Sequence, residues 1–195
     1  MRTIFLPVAI SLALASVSAA DTCSEIVRDA SGRVVQTVER HKDAGGTVQA
    51  TTRDASGRVI GTSTTRPNSG GSTSTDYRDA SGRLTGSAQT QSTGGGTARS
   101  SSSSNTTYRD ASGRLTGSAD TRISGGTGAS IQTQYRDASG RLTGSASGSF
   151  SPAGTFTGTE RDASGRVAGT STGSGTGKCQ GAAPIRTSSP PAGAR

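Results

Sequence analysis

The chain predicts an all-β fold: an antiparallel meander of about twelve short strands, built from hairpin repeats and curled or closed into a barrel. Three observations carry this. The string Arg-Asp-Ala-Ser-Gly-Arg occurs six times, beginning at Arg28, Arg53, Arg78, Arg109, Arg136 and Arg161, and repetition this close marks an array of supersecondary units. A second series of glycine-rich breakers lies in the gaps between the copies. The segments between the two kinds of turn are rich in Thr, Val, Ser and Tyr and carry no helical period. A β-solenoid with one repeat per coil and a largely disordered chain are the alternatives.

Residues 1–20 read as a secretory leader. Arg2 stands near the start, an apolar stretch covers 4–17, and Ser18-Ala19-Ala20 supplies small residues ahead of Asp21. The apolar stretch is shorter than the ~20 residues a membrane-spanning helix needs. The repeat domain is then expected over 21–179, and 180–195, rich in Pro, Ala and Ser, reads as a disordered tail. After the leader only 17 Leu, Ile, Val and Phe remain, well under the ~20% below which disorder becomes the prior. A large conventional core is excluded. A folded chain must rely on backbone hydrogen bonding, with small side chains between its strands.

The first strand is expected at 22–28, followed by the first hexapeptide. Asp leads it, Ala and Ser are central and Gly is fourth, which fits a type I turn whose glycine takes positive φ. With the following Arg this forms a three-residue hairpin loop carrying a glycine bulge, and Asp29 and Arg33 are expected to face each other across it. Residues 33–42 form the second strand, with Val34 to Val38 its strongest part. Asp43-Ala44-Gly45-Gly46 looks like a degenerate copy of the hexapeptide turn, and 47–53 leads to the next full copy. The same alternation continues through Asn68-Ser69-Gly70-Gly71, Gly94-Gly95-Gly96, Ser124-Gly125-Gly126 and Ser151-Pro152-Ala153-Gly154. All hexapeptide turns would lie along one edge of the sheet and all glycine-rich turns along the other. In Arg83-Leu84-Thr85-Gly86-Ser87-Ala88 the pleat puts Leu, Gly and Ala on one face and Arg, Thr and Ser on the other. Residues 97–107, with five successive serines, read as a loop insertion or extended connection. The last strand is expected at 166–173.

Cys23 and Cys179 bracket the repeats. In an exported chain they are expected to form a disulfide. In a flat meander they would lie far apart, so their pairing would argue for closure, which also removes exposed edges.

The stretch Asp-Ala-Ser-Gly-Arg-Leu-Thr-Gly, at Asp79, Asp110 and Asp137, resembles the YD repeat of Rhs-type bacterial surface and toxin proteins. That repeat shows Tyr-Asp, two variable residues, Gly-Arg and then Leu or Ile. Here an Arg separates Tyr from Asp, and Val27, Thr52 and Glu160 take the tyrosine's place in three copies. The resemblance implies stacked β-hairpin units in secreted proteins linked to carbohydrate contact or delivery.

An enzyme is not expected. His41 is the single histidine, so neither a Ser-His-Asp arrangement with a second candidate nor a His/Cys metal cluster is available. One carboxylate per turn between two arginines is a poor calcium site, and no cofactor is expected. The net charge is +8, of which the hexapeptides supply most, with two Arg and one Asp each. The candidate polyanion-binding residues are therefore Arg28, Arg33, Arg53, Arg58, Arg78, Arg83, Arg109, Arg114, Arg136, Arg141, Arg161 and Arg166, with Tyr77, Tyr108 and Tyr135 beside them on the rim. The expected partners are anionic polysaccharide, lipopolysaccharide or an acidic protein surface. The leader disfavours nucleic acid and points to a secreted, cell-surface or periplasmic protein. An outer-membrane barrel is disfavoured because the strands lack a lipid-facing apolar band and aromatic girdles. The alternatives are a secreted effector acting on a host protein and a disordered matrix or linker protein.

Overall fold

The structure, a computed structural model, describes residues 21–93, 101–125 and 128–175. They form a closed barrel of twelve antiparallel strands in simple up-and-down order. The strands are β1 (Asp21–Asp29), β2 (Val34–Lys42), β3 (Val48–Asp54), β4 (Val59–Pro67), β5 (Ser72–Asp79), β6 (Leu84–Thr93), β7 (Ser102–Asp110), β8 (Leu115–Ser124), β9 (Ser130–Asp137), β10 (Leu142–Phe150), β11 (Phe156–Asp162) and β12 (Val167–Gly175). A single 3-10 turn, Ser69–Gly71, lies between β4 and β5. Closure is made by β1 and β12, which pair from Cys23↔Gly175 to Asp29↔Gly169. The all-β meander and its closure are thus as the sequence predicts. The serine run is a correction: Ser102, Ser103 and Ser104 begin β7, where hydroxyl side chains tolerate a pleated, half-buried surface.

The interior is filled by small side chains with a few large ones between them. The buried apolar residues are Cys23, Val38, Ala50, Ala88, Ala119, Ile131, Tyr135, Ala146 and Phe156. Ala119, Tyr135 and Ala146 form one cluster, with Tyr108 packed against it. Inward hydroxyls pair across neighbouring strands, Thr65 with Thr75 at 2.8 Å, Thr90 with Thr106 at 2.9 Å and Thr121 with Thr133 at 3.0 Å. Much of the threonine enrichment is therefore β-forming wall and internal pairing. Next to Cys23 in register, Arg40 donates to Glu25 Oε2 at 2.7 Å, and both side chains are buried. Breaking such a pair from one side leaves an uncompensated charge, at a cost of about 3–5 kcal/mol. Phe156 packs against Phe150 with ring centroids 5.2 Å apart. Gly148 and Gly158 give its ring room, since a Cβ on either would lie within 2.8 Å of it.

Every hexapeptide hairpin carries a further irregularity. Tyr77 pairs with Gly86 while Arg78 pairs with Leu84, so Thr85 is an extra residue on β6. The equivalent extra residues are Val35, Ile60, Thr116, Thr143 and Ala168. A bulge of this kind resets the side-chain phase. Leu84 therefore points outward while Gly86 and Ala88 point inward, which corrects the expectation that all three share a face.

Candidate functional site: the arginine rim

In an up-and-down barrel every odd-to-even connection lies at the same end. The six hexapeptides make these connections, so their turns form one rim. The two chain ends of the described barrel, Asp21 and Gly175, lie at the other. Adjacent hexapeptide turns are two strands apart, about 9.6 Å.

The turn itself is repeated closely. In the first copy Gly32 N donates to Asp29 O at 3.0 Å and Asp29 N to Arg33 O at 2.9 Å. Gly32 has φ +83°, and its five counterparts lie between +80° and +85°. This is the type I turn with a glycine bulge that the composition predicts. Asp43 and Ser151 head turns with the same two backbone bonds on the opposite rim.

The aspartate holds the loop through backbone amides rather than through arginine side chains. Asp29 Oδ1 accepts from Ser31 N at 2.9 Å, Ser31 Oγ at 2.6 Å and Arg33 N at 3.0 Å. Both backbone contacts recur at Asp54, Asp79, Asp110, Asp137 and Asp162. The serine hydroxyl bond, first among the causes, holds the carboxyls of Asp29, Asp110, Asp137 and Asp162 below their ordinary range. At Asp54 the Arg58 amide is the leading cause, followed by Ser56.

The two arginines of each copy do different things. The first reaches over the loop and donates from Nη1 to the glycine carbonyl: Arg28 to Gly32 at 3.1 Å, Arg53 to Gly57 at 3.1 Å, Arg78 to Gly82 at 2.8 Å, Arg109 to Gly113 at 2.8 Å, Arg136 to Gly140 at 3.0 Å and Arg161 to Gly165 at 2.9 Å. The second, at Arg33, Arg58, Arg83, Arg114, Arg141 and Arg166, is exposed in every copy. Its guanidinium makes no close ion pair among the described residues, apart from a loose 3.8 Å approach of Arg58 to Asp54 with the arginine side chain 84% exposed. Asp and the second Arg thus face each other across each loop as expected, joined by the arginine's backbone amide to the carboxylate, with a loose side-chain approach only at Asp54 and Arg58 among the described residues.

The tyrosines leave the rim. Tyr77, Tyr108 and Tyr135 pair in register with Gly86, Gly117 and Gly144 on the inward side of the wall. Tyr135 is 5% exposed, and burial raises the Tyr77 hydroxyl above its ordinary pKa, with Tyr108 adding to the effect. The physical reason is pleat: in Tyr-Arg-Asp only the arginine side chain faces outward. Cys23 is buried. Cys179 lies outside the described residues, as do 1–20 and 180–195.

A second feature was not singled out in the sequence. An open depression of about 510 Å³ on the outer wall of β6–β9 is lined by Gln91, Asn105, Asp120, Arg122, Gln134 and Arg136, among others. Asn105 Nδ2 donates to Asp120 Oδ1 at 2.8 Å. The signal for it was alternation: Gln89 and Gln91, like Gln132 and Gln134, recur at outward positions.

No protein-family model, curated protein or solved structure matches the chain.

Proposed function

We propose that this chain is an exported, non-enzymatic repeat barrel whose arginine rim binds anionic polymers, as an adhesive or structural component outside the cell. One observation carries the reading: the second arginine of every copy is exposed and uncommitted, while the first is used to build the turn. Six such groups stand on one ring about 9.6 Å apart, close to the Debye length of ~8 Å at physiological salt. A flexible polyanion passing over them meets a nearly continuous positive belt. Guanidinium forks suit sulfate, phosphate and carboxylate, and repeated weak contacts gain avidity. The ligand classes are anionic polysaccharide, lipopolysaccharide and acidic protein surfaces. The resemblance to YD repeats favours the same setting, secretion and contact with carbohydrate.

We also propose that Cys23 pairs with Cys179. No described cysteine is free, the chain has two, and the register leaves Gly175, four residues short of Cys179, opposite Cys23.

Retention on heparin tests the rim. Wild type is expected to bind at about 0.15 M salt and to elute as salt rises. Replacing Arg33, Arg58, Arg83, Arg114, Arg141 and Arg166 with Gln should abolish retention with the circular dichroism unchanged, since each basic group near an anionic surface contributes about 1 kcal/mol. Unchanged elution of the six-fold variant would sink the reading.

A further inference from the structure

The bulge in each hairpin has put the repeat's largest aliphatic side chain on the outside. Val59, Leu84, Leu115, Leu142 and Val167, each directly after the second arginine of its copy, are between 37% and 45% exposed, as are the extra residues Val35 and Ile60 one position further on. Single exposed aliphatics are ordinary. Here five of the six copies place one at the same level, and the first exposes Val35 one position further on, while the interior is filled largely by Ala, Gly, Ser and Thr. The five that follow the second arginine also have a cation opposite them: Arg53↔Val59, Arg78↔Leu84, Arg109↔Leu115, Arg136↔Leu142 and Arg161↔Val167 are partners in register. The outer flank of the rim is thus a collar in which arginine and aliphatic residues alternate around the barrel. On the strands below it the outward positions are mainly Thr, Ser, Gln, Asp and Arg, with Ile26 on β1 the exposed aliphatic exception, so the collar is a narrow row.

We propose that this collar docks the rim end of the barrel on an anionic lipid surface, the arginines meeting headgroup phosphates and the aliphatic ring entering the boundary with the acyl chains. The proposal rests on the arginine-rim reading and names its substrate class. Charge complementarity selects the occupant. A second copy meeting this one rim to rim would oppose two rings of like charge. A hydrophilic polyanion would satisfy the arginines but leave the aliphatic ring in water. Only an anionic amphiphilic surface answers both rows, in the way that stable peripheral anchoring combines a basic patch with apolar insertion. The described barrel begins and ends, at Asp21 and Gly175, on the opposite rim.

The mature protein is tested by co-sedimentation with vesicles of phosphatidylcholine alone and with added phosphatidylglycerol. Binding is expected only to the anionic vesicles. The triple substitution Leu84→Ser, Leu115→Ser, Leu142→Ser should weaken it at least about tenfold and leave heparin retention as it is. The chain has no tryptophan, so Leu115→Trp gives a clean second reading that needs no loss of binding. Its emission should shift to the blue on anionic vesicles and stay in place on heparin. Heparin retention without vesicle binding overturns the lipid proposal and leaves the polyanion rim standing. Failure of both overturns both. Vesicle binding that survives the triple substitution, or an unmoved tryptophan on bound vesicles, also overturns the lipid proposal.

Discussion

At Gly86 an added methyl group would lie 2.5 Å from the carbonyl oxygen of Arg109, on the next repeat, and at Gly61 it would lie 2.8 Å from that of Arg78. Gly117 meets Arg136 in the same way. Gly61, Gly86 and Gly117, each two residues after the aliphatic of its copy, are therefore close-approach sites between neighbouring hairpins, where backbone contacts backbone and neither can yield. Gly86→Ala should destabilise the barrel by about 1–3 kcal/mol, the usual cost of forced overpacking, and lower the melting temperature. Ala at the exposed Gln89 on the same strand should change it little. An unaltered melting temperature for Gly86→Ala would remove the close approach as the reason for glycine. The sequence showed this glycine but not its neighbour, because the contact is made between repeats. Leu84 failed for a related reason. A bulge adds one residue to one strand, and nothing in Leu-Thr-Gly-Ser-Ala distinguishes it from unbroken alternation.

The hairpin turn was the most legible element, because Asp, Ser and Gly each have a local backbone task that needs no distant partner. What composition left hidden was the division between the arginines, since only the folded loop brings the first guanidinium back to the glycine carbonyl. The turn also sets an acid limit on stability. Five of the six turn carboxyls, at Asp29, Asp54, Asp110, Asp137 and Asp162, are held below their ordinary range by hydrogen bonds formed in the folded loop. A group with a depressed folded-state pKa stabilises above its unfolded pKa, about 3.9 for Asp, and that contribution is lost as pH falls through the folded value. The melting temperature should hold through neutral and mildly acidic pH and drop below about pH 4. Asn at those five positions keeps an acceptor oxygen and removes the titration, so its acid limb should flatten. A wild-type melting temperature that stays level to about pH 2 would show that the carboxylates do not hold the turns.

At the scale of the molecule, the seam between β12 and β1 repeats the chemistry of the joins at Gly61, Gly86 and Gly117. A methyl on Gly169 would lie 2.5 Å from the Arg28 carbonyl oxygen, as at Gly86 with Arg109, so the last hairpin meets the first as the third meets the fourth. Closure is therefore a consequence of the repeat, with six hairpins returning the sheet to its own start, and pairing all twelve strands leaves no edge open to another chain. The proposed Cys23–Cys179 bond would then be a lock on a ring that the strands close by themselves. Two results are expected of Cys23→Ser. The variant should keep the wild-type circular dichroism, because seven residue pairs still join β1 to β12. It should lose about 2–5 kcal/mol of stability, the usual contribution of a bond that closes a long loop, and the wild type under reductant should match it. A non-reducing peptide map supplies the direct check, with one cross-linked peptide holding both cysteines and no free thiol. Two titratable thiols per chain, or a melting temperature indifferent to both the substitution and the reductant, would refute the bond and leave the seam as the sole closure.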